Sequence, residues 1–197
     1  MSVTEKYDSL KFRIMTIERL RLLKRIYSYR ELAKITGIPE TVLCRYVKGA
    51  VIPSLDQASK IWNALDELLD VKSLIRRSME VTKDGIVDIS QVYSNPLAIE
   101  LIAHKVYSLF AGKRITKVLT PSLDGAIFST AIAIKFQVPL IIAKTSKDVT
   151  TNEYYEKMVY IPPTSMMTFY VPKSMLKRKD EVLIVESVLR SGRVLQA

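Results

Sequence analysis

The run Glu181-Val182-Leu183-Ile184-Val185-Glu186 leads straight into Ser187-Val188-Leu189-Arg190-Ser191-Gly192-Arg193, and this succession of residue types suits a phosphorylated sugar. The apolar, β-branched stretch Glu181 to Val185 reads as a short buried strand, and Ser191-Gly192 opens a helix. At such a strand-to-helix turn, free backbone N–H groups and the positive helix end attract an anion. Glu186 falls at the carboxyl end of the strand, where open α/β sheets bind their ligands, and its carboxylate suits sugar hydroxyls. The same residue types also occur in the strands and loops of α/β proteins that bind no such ligand.

A second loop of this kind comes earlier. Thr120-Pro121-Ser122-Leu123-Asp124-Gly125 joins a strand ending at Val118 to Thr120 to a helix rich in small residues, Gly125 to Phe136. Leu140 to Ala143 is the next strand, and Lys144 follows it. This alternation predicts a parallel sheet with crossover helices. Thr145 to Tyr155 is polar and without apolar periodicity, so it reads as a loop. Met158 to Ile161 and Met166 to Val171 read as two strands returning from it, a long hairpin in the plainest account.

The segment from Glu181 to Arg193 resembles the phosphoribosyl pyrophosphate (PRPP) loop of type I phosphoribosyltransferases, whose form is four apolar residues, two acids, three variable residues, then Thr or Ser and Gly. Ser187 stands here in place of the second acid. The resemblance implies that Glu186 holds the ribose hydroxyls, with Ser187, Val188 and Leu189 completing the loop. It implies that Arg190, Ser191, Gly192 and Arg193 cradle the 5′-phosphate. It implies further that Ser122, Leu123, Asp124 and Gly125 hold pyrophosphate, that Lys144 reaches the same group, and that the loop after Lys144 is a mobile flap over PRPP. The run Ala143 to Thr150 looks most like purine-type members. With one acid of the pair replaced, binding is expected to outlast catalysis, and no residue is assigned a catalytic role. No tightly bound cofactor is expected; Mg²⁺ is expected only with the pyrophosphate of PRPP. The family continues beyond this loop with at least a strand and a helix, whereas this chain stops at Ala197, so either a truncated product or a differently closed sheet is expected.

The front of the chain has its own logic. Leu10 to Tyr27 carries Ile14, Ile17, Leu20 and Leu23 at helical spacing with cations between them. Ser28 and Glu31 form a capping box for a second helix, Gly37 supplies a sharp turn, Pro39 fits a first helical position, and Gly49 ends the third helix. Leu32, Ile38, Val42 and Val47 are the expected shared core. Two short helices joined by a Gly turn make a helix-turn-helix unit. The segment resembles that of the Cro and phage-repressor class. Tyr29, Arg30, Glu40, Thr41, Cys44, Arg45 and Lys48 are the expected DNA-facing residues. Arg45 is suited to a guanine edge, and Lys48 with the Arg19, Arg21 and Lys24 face is suited to phosphates. Ser59 to Met79 reads as one further helix, with Ile61, Trp62, Leu65, Leu68 and Leu69 inward. Lys83-Asp84-Gly85 reads as a hairpin turn, and Asn95 caps a helix from Pro96 to about Ala111.

Composition bounds the function classes. The chain has 197 residues, 48% hydrophobic and 25% charged, which is ordinary for one or two globular domains. No apolar run approaches the ~18 residues of a membrane span and the amino terminus has no signal-peptide core, so a cytoplasmic protein is expected. One cysteine, Cys44, excludes an internal disulfide framework and a cysteine metal cluster. The one histidine, His104, lies in an apolar stretch and is expected on a helix face or partly buried. Of the net charge of +10, residues 1–60 hold +6, from 12 Lys and Arg against 6 Asp and Glu; such an excess commonly meets phosphate backbones.

The expected fold class is therefore α/β, with an all-helical helix-turn-helix domain over residues 1–79 and a type I phosphoribosyltransferase-like parallel-sheet domain over residues 80–197. The layout resembles the purine repressor type of regulator or an archaeal relative, although purine repressors carry a winged helix in front. It implies a homodimeric regulator of double-stranded DNA with PRPP or a purine nucleotide as effector. An active purine-type phosphoribosyltransferase with a regulatory helical domain is the alternative, and a dimerisation bundle on a ligand-binding domain is the third reading.

Overall fold

A computed structural model of the chain describes residues 3–68, 70–161, 165–189 and 192–196. Two compact units emerge, Met1–Leu101 and Ile102–Ala197. The front unit contains α1 (Val3–Lys24), α2 (Tyr29–Thr36), α3 (Glu40–Val47), α4 (Leu55–Leu68) and α5 (Val71–Ser78). A two-stranded hairpin follows, β1 (Glu80–Val81) and β2 (Val87–Asp88), then α6 (Ser90–Tyr93) and the start of α7 (Pro96–Leu109). The hairpin turn and the Asn95 cap stand where the sequence puts them; Asn95 Oδ1 accepts from the Leu97 and Ala98 amides.

Turn chemistry fixes the central helix pair. Ser28 Oγ accepts from the Glu31 amide while the Glu31 carboxylate accepts from the Ser28 amide, a complete capping box. These bonds hold the Glu31 carboxyl below its usual range. Gly37 then adopts φ +69, a left-handed conformation that glycine reaches without a Cβ clash, so the chain reverses between α2 and α3. Pro39 is the N-cap of α3 and not its first helical residue. Leu32 is buried as expected, with Ile38, Val42 and Val47 packed around the core, but Leu43 and Tyr46 are the most deeply buried residues of α3.

Three front-domain expectations change. First, α1 begins seven residues earlier than Leu10, and Ile14 is 42% exposed while Met15, Thr16 and Ile17 are buried. Second, the helix expected over Ser59 to Met79 is two helices; Asp70 caps the second by accepting from the Ser73 amide, which separates α4 from α5. Third, Arg19 is not on a cationic outer face: it is fully buried, its guanidinium 2.5 Å from Asp66 and 4.2 Å above the Trp62 ring. Burial pulls its pKa down, against the hydrogen bond and charge of Asp66.

The back unit holds β3 (Lys117–Thr120), α8 (Leu123–Phe136) and β4 (Leu140–Ile142). These are followed by a long hairpin, β5 (Tyr154–Ile161) and β6 (Ser165–Pro172), a 3-10 turn (Lys173–Met175) and β7 (Val182–Ile184). The sheet is parallel with order β4-β3-β7, the expected arrangement with α8 as crossover. The loop after Lys144 is shorter than expected, because both hairpin strands extend further and pair in full register from Tyr154↔Pro172 to Ile161↔Ser165. The division between units lies inside α7, where Leu97 and Leu101 join the front core, whereas the sequence places a boundary near residue 79. His104 is buried on α7.

Candidate ligand site and candidate nucleic-acid interface

Parallel pairing brings the ends of β3 and β7 side by side, so the loops that follow them face one another across the sheet edge. One hydrogen bond joins them. Ser122 Oγ–H donates to Glu186 Oε1 at 2.5 Å. The same Ser122 oxygen accepts from the Gly125 amide at 2.9 Å and so caps α8. Glu186 Oε1 also accepts from the Ser187 amide at 2.8 Å and the Ser187 hydroxyl at 3.1 Å. Ser122, Gly125, Glu186 and Ser187 are thus one cluster at the carboxyl ends of two neighbouring strands.

Gly125 is what permits this closeness. A Cβ there would lie 2.3 Å from Thr120 Oγ1, 2.9 Å from Ser122 Oγ and 3.3 Å from Glu186 Oε1. Leu123 and Asp124, in the first turn of α8, are exposed. Lys144 follows β4 and is fixed by two backbone bonds with Tyr170 of β6, its amide donating at 3.0 Å and its carbonyl accepting at 2.8 Å. Its ammonium pairs with Asp148 at 2.6 Å.

The loop after Lys144 packs on hairpin aromatics that sequence reasoning did not assign. Tyr154 OH accepts from the Asp148 amide at 2.7 Å. Lys147 lies 5.2 Å from the Tyr170 ring centre and pairs with Glu156 at 2.5 Å; that bond, more than any other influence, raises the Lys147 pKa. Near the hairpin tip, Tyr160 has the Arg193 guanidinium 5.7 Å from its ring centre. Only the strand register brings these tyrosines to one face, which a local pattern cannot reveal. Strand β7 spans three residues, not the expected five. Val188 is half-buried and Leu189 exposed, whereas Arg190 and Ser191 lie outside the described residues. Gly192 has φ +71, and its carbonyl accepts from the Leu195 and Gln196 amides in a turn, where a helix start is expected.

In the front unit, Glu40, Thr41, Arg45 and Lys48 are exposed and Cys44 is half-exposed. The spacing of 41, 44, 45 and 48 puts them on one side of α3. Arg30 is exposed on α2, and Tyr29 lies under Lys24, whose ammonium is 4.8 Å from the ring centre. Desolvation, then the bond with Cys44, pushes the Tyr29 hydroxyl above its ordinary range. Arg21 is not left for phosphate: its Nε–H donates to the Val47 carbonyl at 2.6 Å. Arg13, unassigned from sequence, donates likewise to the Pro53 carbonyl at 2.5 Å. Two arginines of α1 therefore satisfy carbonyls at and beyond the end of α3.

Residues 17–71 match the helix-turn-helix family model. The carboxyl-terminal region matches xanthine phosphoribosyltransferases. That of Finegoldia magna is 30% identical over 104 residues, covering 52% of this chain and 55% of that protein. That of Brevibacillus brevis is 38% identical over 97 residues, covering 48% and 49%. The chain joins a helix-turn-helix domain to a phosphoribosyltransferase-like domain. It spans about half the length of the curated relatives it matches. Adenine phosphoribosyltransferase from Thermoanaerobacter pseudethanolicus superposes with a TM-score of 0.56 at 16% identity, covering 62% of this chain and 74% of that one. APRTase from Giardia lamblia gives 0.56 at 21% identity, covering 64% and 70%. These structures share the fold of the back domain. Among the described residues, no helix is long and apolar enough to cross a membrane and no group of three His, Cys, Asp or Glu could hold a metal ion.

Proposed function

We propose that the chain is a DNA-binding transcription regulator whose phosphoribosyltransferase-like domain binds PRPP or a purine nucleotide as effector. The observation that carries this reading is the engagement of Glu186. Its Oε1 accepts from Ser122 and twice from Ser187, and Ser187 stands where the family resemblance calls for a second carboxylate. One acid, held by hydroxyls, can still bind ribose but offers half the negative charge that an acid pair would place beside a reacting sugar. The exposed face of α3 supplies the output: Thr41, Arg45 and Lys48 can enter a major groove while helix-turn-helix partners of a second copy take the other half-site. An effector shifts DNA affinity only as far as it binds the two arrangements of the dimer unequally.

The test is anisotropy binding at fixed salt to DNA from the protein's own promoter region, with and without PRPP or purine nucleotides. A specific affinity that one ligand shifts supports the reading; binding that stays at the nonspecific level in every ligand state counts against it. In the same assay Arg45→Ala is expected to lose about 1–3 kcal/mol of discrimination at one base pair. Unchanged sequence preference would remove Arg45 from the base-reading set.

A second reading, an active purine-type phosphoribosyltransferase with a regulatory front domain, is favoured by the likeness to xanthine phosphoribosyltransferases. In it the base displaces pyrophosphate from the ribose carbon by positioning and electrostatics, with Mg²⁺ entering on the pyrophosphate. Ser187→Asp separates the two. The regulator reading expects the parent to bind PRPP without turnover and the variant to gain measurable turnover with a purine base. Robust turnover by the parent would establish the enzyme instead.

A further inference from the structure

Helix α8 has two apolar faces. Gly125, Phe128, Ser129, Ile132 and Ala133 are buried. Leu123, Ile127 and Ile134, with Thr130 between them, form a second stripe at positions i, i+4, i+7 and i+11, and the three apolar members are 80%, 38% and 70% exposed. A surface helix of one sheet layer needs only one apolar face, and an exposed stripe of large aliphatic residues marks an interaction surface.

We propose that this stripe is the surface on which a second copy of the chain docks, α8 against α8 in antiparallel order about a two-fold axis. The spacing is self-complementary. With the axis between residues 128 and 129, Leu123 of each copy meets Ile134 of the other, and Ile127 meets Thr130, as an isologous contact requires. Charge agrees: Asp124 is in the first turn of α8 and Lys135 in the last, so antiparallel pairing sets each acid beside the other copy's cation while the helix dipoles oppose one another. The helix has 14 residues, about 21 Å of contact length. One such helix from each copy buries less than the ~1,200 Å² lower limit of a standard interface, so the dimer dissociates on dilution through the micromolar range. The stripe starts at Leu123, between Ser122 and Asp124 of the candidate ligand loop, which places the docked copy against the residues that hold the effector. The assignment deepens the regulator reading by naming its dimer surface.

The test is sedimentation velocity on the full chain over a dilution series, without DNA or ligand, so that its failure is distinct from failure of the regulator reading. The parent is expected to move from dimer to monomer on dilution. Ile134→Asp is expected to raise the dissociation constant at least roughly ten-fold with unchanged circular dichroism, since the residue is exposed. Lys135→Glu is expected to weaken the dimer, and Asp124→Lys with Lys135→Glu to restore it, an outcome that a general loss of solubility or folding cannot mimic. A dimer indifferent to Ile134→Asp would locate the interface elsewhere and overturn the proposal. A parent that stays monomeric at every concentration would overturn it too, leaving the stripe to a different occupant.

Discussion

Replacing Arg19 by alanine is expected to destabilise the front domain by about 3 kcal/mol, the largest loss from any single change in the helix-turn-helix region. Three effects add. The guanidinium is fully buried and its removal opens a cavity among Trp62 and the α1 and α4 side chains. The contact with the Trp62 face is lost, worth about 0.5–2 kcal/mol. Asp66 loses its partner at 2.5 Å, although its 36% exposure lets water replace part of that bond and keeps the sum below the upper end of the range for buried pairs. For a unit of this size the melting temperature should fall by roughly 10–20 °C, measured by circular dichroism at 222 nm. Arg19→Met with Asp66→Asn should recover most of the loss, because an unbranched apolar side chain fills the volume and no charge is left behind. A fall of only a degree or two in Arg19→Ala would mean that the pair contributes no more than a surface bridge.

Gly125→Ala is expected to abolish effector binding in the back domain and to cost about 1–3 kcal/mol of stability. Two effects oppose each other. Alanine is favoured over glycine inside a helix by up to about 1 kcal/mol, and Gly125 lies in the first turn of α8. Against that, the new methyl group would stand 2.3 Å from Thr120 Oγ1, and Thr120 is a fully buried, β-branched strand residue with one alternative rotamer at most. The clash wins. Turning Thr120 aside moves Ser122, and with it both the cap of α8 and the bond to Glu186. Isothermal titration with PRPP and a urea melt together check this: retained binding with raised stability would show that the loop relaxes freely, and the glycine would then serve no close approach.

The parts of this protein that were legible in sequence are those written in short-range chemistry. The Ser28 and Glu31 capping box, the left-handed Gly37, the Asn95 cap and the Lys83-Asp84-Gly85 hairpin turn each involve residues within a few positions of one another. The order of strand, loop and helix around Thr120 to Gly125 was legible too, because apolar runs and helical periodicity repeat over short windows. So was the parallel sheet, since alternating strand and helix leaves few other topologies.

Tertiary structure decided what the same residue types are used for. Arg13, Arg19, Arg21 and Lys24 look alike along α1, yet the first and third donate to carbonyls of Pro53 and Val47, the second is buried against Asp66 and Trp62, and the fourth covers Tyr29. Each partner except Tyr29 is more than twenty residues away, and periodicity cannot say which side of a basic helix a later helix will cover. The break between α4 and α5 escaped the apolar pattern because Leu68, Leu69 and Val71 continue it while the Asp70 cap interrupts it. Most of all, the candidate ligand site exists as a unit only because Ser122 and Glu186, 64 residues apart, meet across the carboxyl ends of β3 and β7. Sequence determined that each loop could hold an anion or a sugar; the parallel pairing of two strands determined that they do so together, because hydrogen-bond register fixes position to a fraction of a residue spacing where composition fixes only type.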